Sequence, residues 1–212
     1  MTGLARNVVT ELVATALFIF AIVAAVNSGS ALAPIAIGFT LMVLVYATGH
    51  ISGGHLNPAV SLGAFVRGAM SVGDMIAYWI AQLVGGALGA LLAMSVWPAP
   101  ATAGAPDLLP AFIAELVFTF ILVFVVLNVA TSKDTDGNSF YGLAIGSVVV
   151  AGAVSVGSIS GGAFNPAVAF GLAVHGDFAW SALWMWVVAA LLGGLLAGIV
   201  FRVLNTHDQK TA

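Results

Sequence analysis

Long apolar runs, separated by short breaks rich in polar residues, Gly or Pro, dominate the pattern of this chain. Six such runs fall near residues 8–27, 33–50, 74–96, 109–130, 140–158 and 180–203. A helix needs about 20 predominantly apolar residues to cross a hydrocarbon core of about 30 Å. The pattern therefore predicts six membrane-spanning helices.

Two shorter apolar stretches follow Asn57 and Asn165 and extend for about ten residues each. As helices they would be roughly 15 Å long, which is half the thickness of the hydrocarbon core. We expect them to be re-entrant half-helices. The fold class predicted is an all-α membrane protein with six spans and two half-helices.

The composition is typical of a chain embedded in a lipid bilayer. Hydrophobic residues make up 61% of its 212 residues and charged residues 6%, whereas soluble domains carry about 25% charged residues. The first apolar run lacks the charged head and the cleavage pattern of a removable signal, so it is expected to be a permanent span. The chain has no cysteine for disulfides or thiolate metal sites, and its five basic residues form no patch for nucleic acid.

The basic residues predict an orientation. With a cytoplasmic amino terminus, all five of them fall on the cytoplasmic side, namely Arg6, Arg67, Lys133, Arg202 and Lys210. The charged residues of the outer loops are then Asp107 and Asp177. This is the bias of the positive-inside rule, and it places both termini in the cytoplasm and makes residues 131–139 a cytoplasmic connection.

An internal repeat runs through the chain. Residues 52–60, Ser-Gly-Gly-His-Leu-Asn-Pro-Ala-Val, return 108 positions later at residues 160–168 as Ser-Gly-Gly-Ala-Phe-Asn-Pro-Ala-Val. We expect one channel domain over residues 1–212, built from repeats at about 1–99 and 108–212. Because each repeat has three spans, the second must be inverted relative to the first, and inverted repeats with interrupted helices indicate a transport site at their interface.

The two Asn-Pro-Ala motifs suit a helix that begins inside the membrane. Asn is among the best N-cap residues, and Pro is favoured at the first helical position. The motifs comprise Asn57, Pro58 and Ala59 in the first repeat and Asn165, Pro166 and Ala167 in the second.

If the half-helices meet end to end, both positive dipole ends face the pore centre and oppose cations. The Asn amides can donate to the oxygen of a neutral solute. A single Asn-Pro-Ala motif would be read as an ordinary helix cap. Two copies, each preceded by the same Ser-Gly-Gly segment, predict a pore.

On these motifs the sequence resembles the aquaporin, or major intrinsic protein, family over nearly its whole length. Supporting segments are residues 49–55, Gly-His-Ile-Ser-Gly-Gly-His, and residues 77–82, Ala-Tyr-Trp-Ile-Ala-Gln. The resemblance implies a right-handed bundle of six transmembrane helices plus two half-helices. It also implies a homotetramer with one pore per subunit that works without energy coupling. No cofactor or metal is expected.

The resemblance also assigns roles to residues between the motifs. Glu11 and Glu115 would brace the re-entrant loops by accepting hydrogen bonds from loop backbone, although carboxylates near helix ends can also be merely interfacial. The pore-lining positions of the family fall on Phe18, Leu41, His55, Leu122, Val149 and Phe164. Singly, the apolar members of this set could equally face lipid or pack between helices. His50 and His55 are expected at the pore mouth or in loop packing rather than on a metal.

One part of the family pattern is altered. Most members follow the second motif with Arg, but here Val168 takes that place, and the other filter positions fall on Ile37, Ala153 and Gly162. The resemblance implies a wide, Arg-free filter similar to that of the bacterial arsenic-resistance aquaglyceroporins, which pass neutral metalloid hydroxides such as arsenite. The short tail and small loops predict a simple bacterial plasma membrane as the location.

Two other solute preferences stay open. The chain could be mainly a water-selective channel whose pore is narrowed again by Phe39 or Phe164. It could also be a glycerol facilitator, although Ala169 stands where those channels usually carry Asp.

Three other classes of membrane protein fit the sequence less well. An intramembrane enzyme would need a nucleophile with a base, or a metal cluster, at membrane depth. A coupled transporter would be expected to carry more intramembrane charges than Glu11 and Glu115. A scaffold would not require both motifs intact. A passive channel, not an enzyme, is therefore predicted.

Overall fold

The computed structural model describes residues 3–208, so Lys210 lies outside the described residues. Within that range the chain is helical. The helices are α1 (Gly3–Asn27), α2 (Ala33–Ser52), α3 (Pro58–Arg67), α4 (Val72–Met94), α5 (Leu108–Ala130), α6 (Tyr141–Ser160), α7 (Pro166–His175) and α8 (Leu183–Leu204). Short 3-10 turns lie at Lys133–Thr135, Trp180–Ala182 and Thr206–Asp208. Six of the helices are long and apolar enough to span a membrane, which confirms the predicted fold class.

The ends of the spans differ from the prediction by a few residues. Helix α1 begins at Gly3 rather than near residue 8, and α4 covers Val72–Met94 rather than 74–96. The early start of α4 has a local cause: the Ser71 hydroxyl accepts a hydrogen bond from the Asp74 amide at 3.1 Å and so caps the helix. Apolar length predicts that a span exists, whereas capping decides where it begins.

Close helix crossings recur at matching places in the two repeats. Helix α4 crosses α1 where Gly85 contacts the Leu12 carbonyl, and α8 crosses α5 where Gly193 meets the Leu116 carbonyl. A Cβ added to Gly193 would lie 2.6 Å from that oxygen. Small residues let transmembrane helices approach closely enough for backbone contact, so these glycines hold each repeat together.

The half-helices α3 and α7 begin at the centre of the molecule and end on opposite faces. Helix α3 ends at Arg67, beside Thr131 and Asp208, on the face where α1 begins and α8 ends; we name it the terminal face. Helix α7 ends at His175, beside Trp97, on the opposite face, which we name the distal face. Each half-helix has ten residues, as its apolar length predicts.

Candidate functional site

Each half-helix is capped by the Asn of its own motif. The Asn57 Oδ1 accepts a hydrogen bond from the Ala59 amide at 2.8 Å, and the Asn165 Oδ1 accepts one from the Ala167 amide at 2.9 Å. A Pro occupies the first position of both helices. Because these caps use only the amide oxygen, the nitrogen of each side chain stays available as a donor.

The two Asn nitrogens donate to carbonyls of the opposite repeat. Asn57 Nδ2 lies 2.9 Å from the Phe164 carbonyl, and Asn165 Nδ2 lies 2.8 Å from the Leu56 carbonyl. Leu56 and Phe164 have φ values of 50° and 49°, a left-handed conformation that is uncommon outside glycine. An amide group carries two hydrogens, so each Asn keeps one for a further acceptor.

A buried Glu holds each re-entrant loop in place. Glu11 is fully buried and accepts hydrogen bonds from the Ser52 hydroxyl at 2.6 Å and from the amides of His55 and Leu56 at 3.0 and 2.7 Å. A carboxylate is expensive to bury unless it is well hydrogen-bonded. These bonds join α1 to the backbone that leads into the first motif.

Glu115 makes the matching bonds in the second repeat. It is also fully buried, and it accepts hydrogen bonds from the Ser160 hydroxyl at 2.7 Å and from the amides of Ala163 and Phe164 at 2.9 and 2.6 Å. Both carboxylates therefore contact loop backbone rather than a membrane interface.

The first repeat adds polar contacts that the second lacks. The Gln82 amide donates to Glu11 at 2.9 Å and to the Ser61 hydroxyl at 3.2 Å, and that hydroxyl lies 3.0 Å from His55 Nδ1. The residues 108 positions beyond His55, Ser61 and Gln82 are all alanines, at 163, 169 and 190. The two halves are thus alike in backbone but unequal in polarity.

A cavity of about 290 Å³ passes between Asn57 and Asn165. Half of its lining residues form one apolar stripe on each of four spanning helices. The stripes are Phe18, Ile22 and Val26 of α1; Ile37, Leu41 and Val45 of α2; Leu122 and Val126 of α5; and Ile145, Val149, Ala153 and Gly157 of α6. The four-residue spacing places each stripe on one helix face.

Most of the predicted channel residues lie on this cavity. All four predicted filter positions, Ile37, Ala153, Gly162 and Val168, line it. So do five of the six predicted pore-lining residues, Phe18, Leu41, His55, Leu122 and Val149.

Phe164 lies elsewhere. Its ring packs against Phe118 with centroids 5.4 Å apart, and it occupies the space beside Gly152, where an added Cβ would lie 2.5 Å from it. Phe164 therefore contributes its carbonyl, but not its ring, to the centre of the molecule. Phe39, which could have narrowed the pore, is 50% exposed on the outside of the bundle.

Two residues of the loop after α7 line the cavity although they were not predicted to do so. Asp177 and Phe178 follow α7 and line the cavity. The Phe178 ring stacks on Trp186 with centroids 4.0 Å apart and an interplanar angle of 14°, and it rests on Gly161. No periodic pattern marks a loop residue, whereas Ile22, Val45 and Val126 could have been found four positions after Phe18, Leu41 and Leu122.

A second cavity, of about 760 Å³, opens on the terminal face, and His55 lines both cavities. Beside it the Arg67 guanidinium donates to the Thr131 hydroxyl at 2.9 Å and to the Thr131 carbonyl, and it lies 3.6 Å from Asp208. Burial by itself would raise the pKa of Asp208, but hydrogen bonds from Ser132 and Lys133 and the charge of Arg67 outweigh it and lower that pKa. We name these contacts of Arg67 the terminal clasp.

Comparison with known proteins agrees with this geometry. A family model described as major intrinsic protein matches residues 2–201. The chain is 37% identical to Aquaporin TIP1-1 of Arabidopsis thaliana, over 98% of this chain and 82% of that protein. It is also 37% identical to Aquaporin-8 of Mus musculus, over 96% of this chain and 83% of that protein. A solved aquaglyceroporin from Plasmodium falciparum has the same fold, with a TM-score of 0.80 at 22% identity over 93% of this chain and 95% of that one.

The class of protein that follows is a multi-pass helical membrane channel. The chain belongs to the major intrinsic protein family. Members of this family are passive channels for small neutral solutes and are not enzymes.

Proposed function

We propose that this channel passes water and other small uncharged solutes, including neutral metalloid hydroxides such as arsenite and small polyols. The observation that carries the proposal is the side chain of Val168. It follows the second motif on the cavity wall, where the family resemblance places an Arg. With Ile37, Ala153 and Gly162 it forms a filter without a fixed charge or a strong hydrogen-bond donor.

The chemistry of the cavity supports neutral solutes over ions. The apolar stripes offer few hydrogen bonds, so a permeant has little reason to be retained. Both half-helices point their positive ends at the centre, which opposes cations. Among the described residues that line the cavity, Asp177 is the one carboxylate, and it is bound to His175. The second hydrogen of each Asn amide is the donor that would meet a solute oxygen.

We further propose that the terminal face is cytoplasmic and that the channel assembles as a homotetramer in a bacterial plasma membrane. The described basic residues Arg6, Arg67, Lys133 and Arg202 all belong to the terminal face by their positions at helix ends. Such an excess is typical of cytoplasmic loops. The assembly rests on the family resemblance and the host membrane on the small loops, and cross-linking in native membranes would test the tetramer.

The solute proposal is tested with purified protein in liposomes. We expect wild-type vesicles to take up arsenite and glycerol faster than empty vesicles, and Val168→Arg to slow both by about tenfold, because about 1.4 kcal/mol of added barrier has that effect. Val168→Leu is the matched control, since it adds bulk without charge and should retain most of the uptake. Equal slowing by Leu and Arg would contradict a role for the missing charge.

A mainly water-selective channel is the alternative. It is favoured by the Phe178 ring, which adds an aromatic wall near the filter, and by the aquaporin names of the similar proteins. Fast osmotic water flux with glycerol and arsenite both excluded would establish this alternative. A glycerol facilitator is the second alternative, which glycerol uptake without arsenite uptake would support.

A further inference from the structure

His175 is the last residue of α7, and its ring is completely buried on the distal face. Its Nδ1 lies 2.7 Å from Asp177 Oδ2, and its Nε2 lies 3.0 Å from the Trp97 carbonyl oxygen. We name this set of contacts the distal clasp. It joins the end of the second half-helix to the segment that follows α4.

The distal clasp needs one proton more than its groups hold when His175 is neutral and Asp177 is ionised. A carbonyl oxygen and a carboxylate oxygen both accept hydrogen bonds and donate none. A neutral imidazole has a single N–H, so it can satisfy only one of these two partners. Both bonds form together when the pair takes up a further proton. Histidine is the side chain that most often gains or loses its proton near neutral pH.

The clasp is connected to the cavity through the next residues of the chain. Asp177 and Phe178 both line the cavity. The Gly104 amide donates to the Asp177 carbonyl at 2.7 Å, and the Ala179 amide donates to the Gly104 carbonyl at 2.9 Å. The segment after α4 and the segment after α7 are therefore held together at the distal end of the cavity, with His175 between them.

Few other charges can affect the clasp. Helices α4 and α8 carry their acidic and basic residues, Asp74 and Arg202, at their terminal-face ends, and α7 has no charged side chain apart from His175. Among the described residues of the distal loops, Asp107 is the other ionisable group, at the start of α5. Asp177 is the charged partner in direct contact with His175.

We propose that His175 is a positioning residue for the distal end of the cavity, and that its protonated clasp holds Asp177 and Phe178 in place and thereby sets the size of solute that passes. The proposal rests on the proposed function in that it takes this cavity to be the conducting path. When the extra proton leaves, one bond of the clasp is lost, the Phe178 segment loosens and larger neutral solutes pass faster. The permeability to water changes little, because a water molecule is small enough to pass in either case.

The test measures the ratio of glycerol to water permeability in proteoliposomes, with the same pH on both sides so that the orientation of the protein does not matter. Between about pH 5 and 8, we expect the ratio in wild type to rise about fivefold, the effect of losing one hydrogen bond. A flat ratio, or exclusion of glycerol at every pH, would overturn the proposal.

Asp177→Asn is the decisive variant because it is isosteric and needs no extra proton. The Asn amide can donate to Nδ1 of a neutral His175 while Nε2 donates to Trp97, so the clasp is complete at high pH. We expect the ratio to stay at its low, acid value throughout. Persistence of the wild-type rise in this variant would contradict the role given to His175.

Two further variants complete the experiment. Phe178→Ala removes the ring that the clasp positions, and it should give a high ratio at every pH. Asp107→Asn removes the other distal carboxylate and should keep the wild-type rise of the ratio with pH.

The outcomes separate the two proposals. If no variant conducts water or glycerol above the rate of empty vesicles, the proposed function itself fails. If water passes and the pH dependence is absent, only the clasp proposal fails.

Discussion

The re-entrant segments of the two repeats make the same kinds of contact where their half-helices begin, but they end in different basic residues. Both begin with an Asn cap, a cross-repeat hydrogen bond and a buried Glu. Arg67 and His175 then lie at equivalent positions, 108 residues apart, as the last residues of α3 and α7. Each contacts a carbonyl just beyond the end of a spanning helix and an Asp carboxylate.

Arg67 and His175 differ in how many N–H donors they have and in whether they can lose their charge. A guanidinium carries five N–H donors and does not lose its charge in proteins, so the terminal clasp has donors to spare. An imidazole has at most two, and the second depends on pH. The two half-helices thus end in similar contacts, with a permanent charge on one face and a titratable group on the other.

The largest expected effect comes from breaking what the two segments share. Glu11→Leu and Glu115→Leu each leave two buried loop amides and a Ser hydroxyl without an acceptor. At about 1–3 kcal/mol for each of the three orphaned donors, either change should cost roughly 3–9 kcal/mol of stability. Thermal unfolding in detergent would measure the loss. A much smaller loss for one of them would show that the two loops are braced unequally.

A somewhat smaller effect is expected where the segments differ. Arg67→Ala removes the charge that faces the buried Asp208 and leaves the Thr131 carbonyl without its donor, so we expect a loss of about 3 kcal/mol. The same unfolding measurement applies, with Arg6→Ala as the control because that side chain lies exposed at the start of α1. A loss no larger than in the control would mean that the terminal clasp does not stabilise the fold.

The smallest expected effect comes from making the first segment resemble the second. Gln82→Ala introduces the residue found at the equivalent position, Ala190, and leaves Glu11 with three donors that match those of Glu115, namely a Ser hydroxyl and two loop amides. We expect a loss of about 1 kcal/mol, since one hydrogen bond to the carboxylate disappears. Gln82 Oε1 has no partner in the described structure, and its removal offsets part of that loss. A loss as large as that of Glu11→Leu would contradict the equivalence of the Glu11 and Glu115 hydrogen-bond sets.

The sequence predicted most of the fold because the bilayer constrains it strongly. Apolar length identified six spans, and the position of Asn before Pro identified where α3 and α7 begin. The helix ends were less certain, because a single Ser71 cap moves the start of α4. The stripes along α1, α2, α5 and α6 could have been extended from the predicted residues by the four-residue period alone.

The remaining features of the site depend on long-range contacts that no local pattern contains. The ring of Phe164 lies off the cavity because its backbone is turned to present a carbonyl to Asn57. Phe178 reaches the cavity because Gly161 and Trp186 provide a place for its ring. The pairing of Arg67 with Asp208 joins residues of different repeats, and apolar periodicity cannot predict it.

The hydrogen bonds between Asn57 and the Phe164 carbonyl and between Asn165 and the Leu56 carbonyl impose an order in time on assembly. Their partners are 107 and 109 residues apart. At about 5–20 residues per second, a ribosome needs roughly 5–20 s to make that length of chain. During this delay Asn57 and Leu56 have no partner from the second repeat. These two hydrogen bonds of the first re-entrant segment therefore form only after the second repeat has been synthesised.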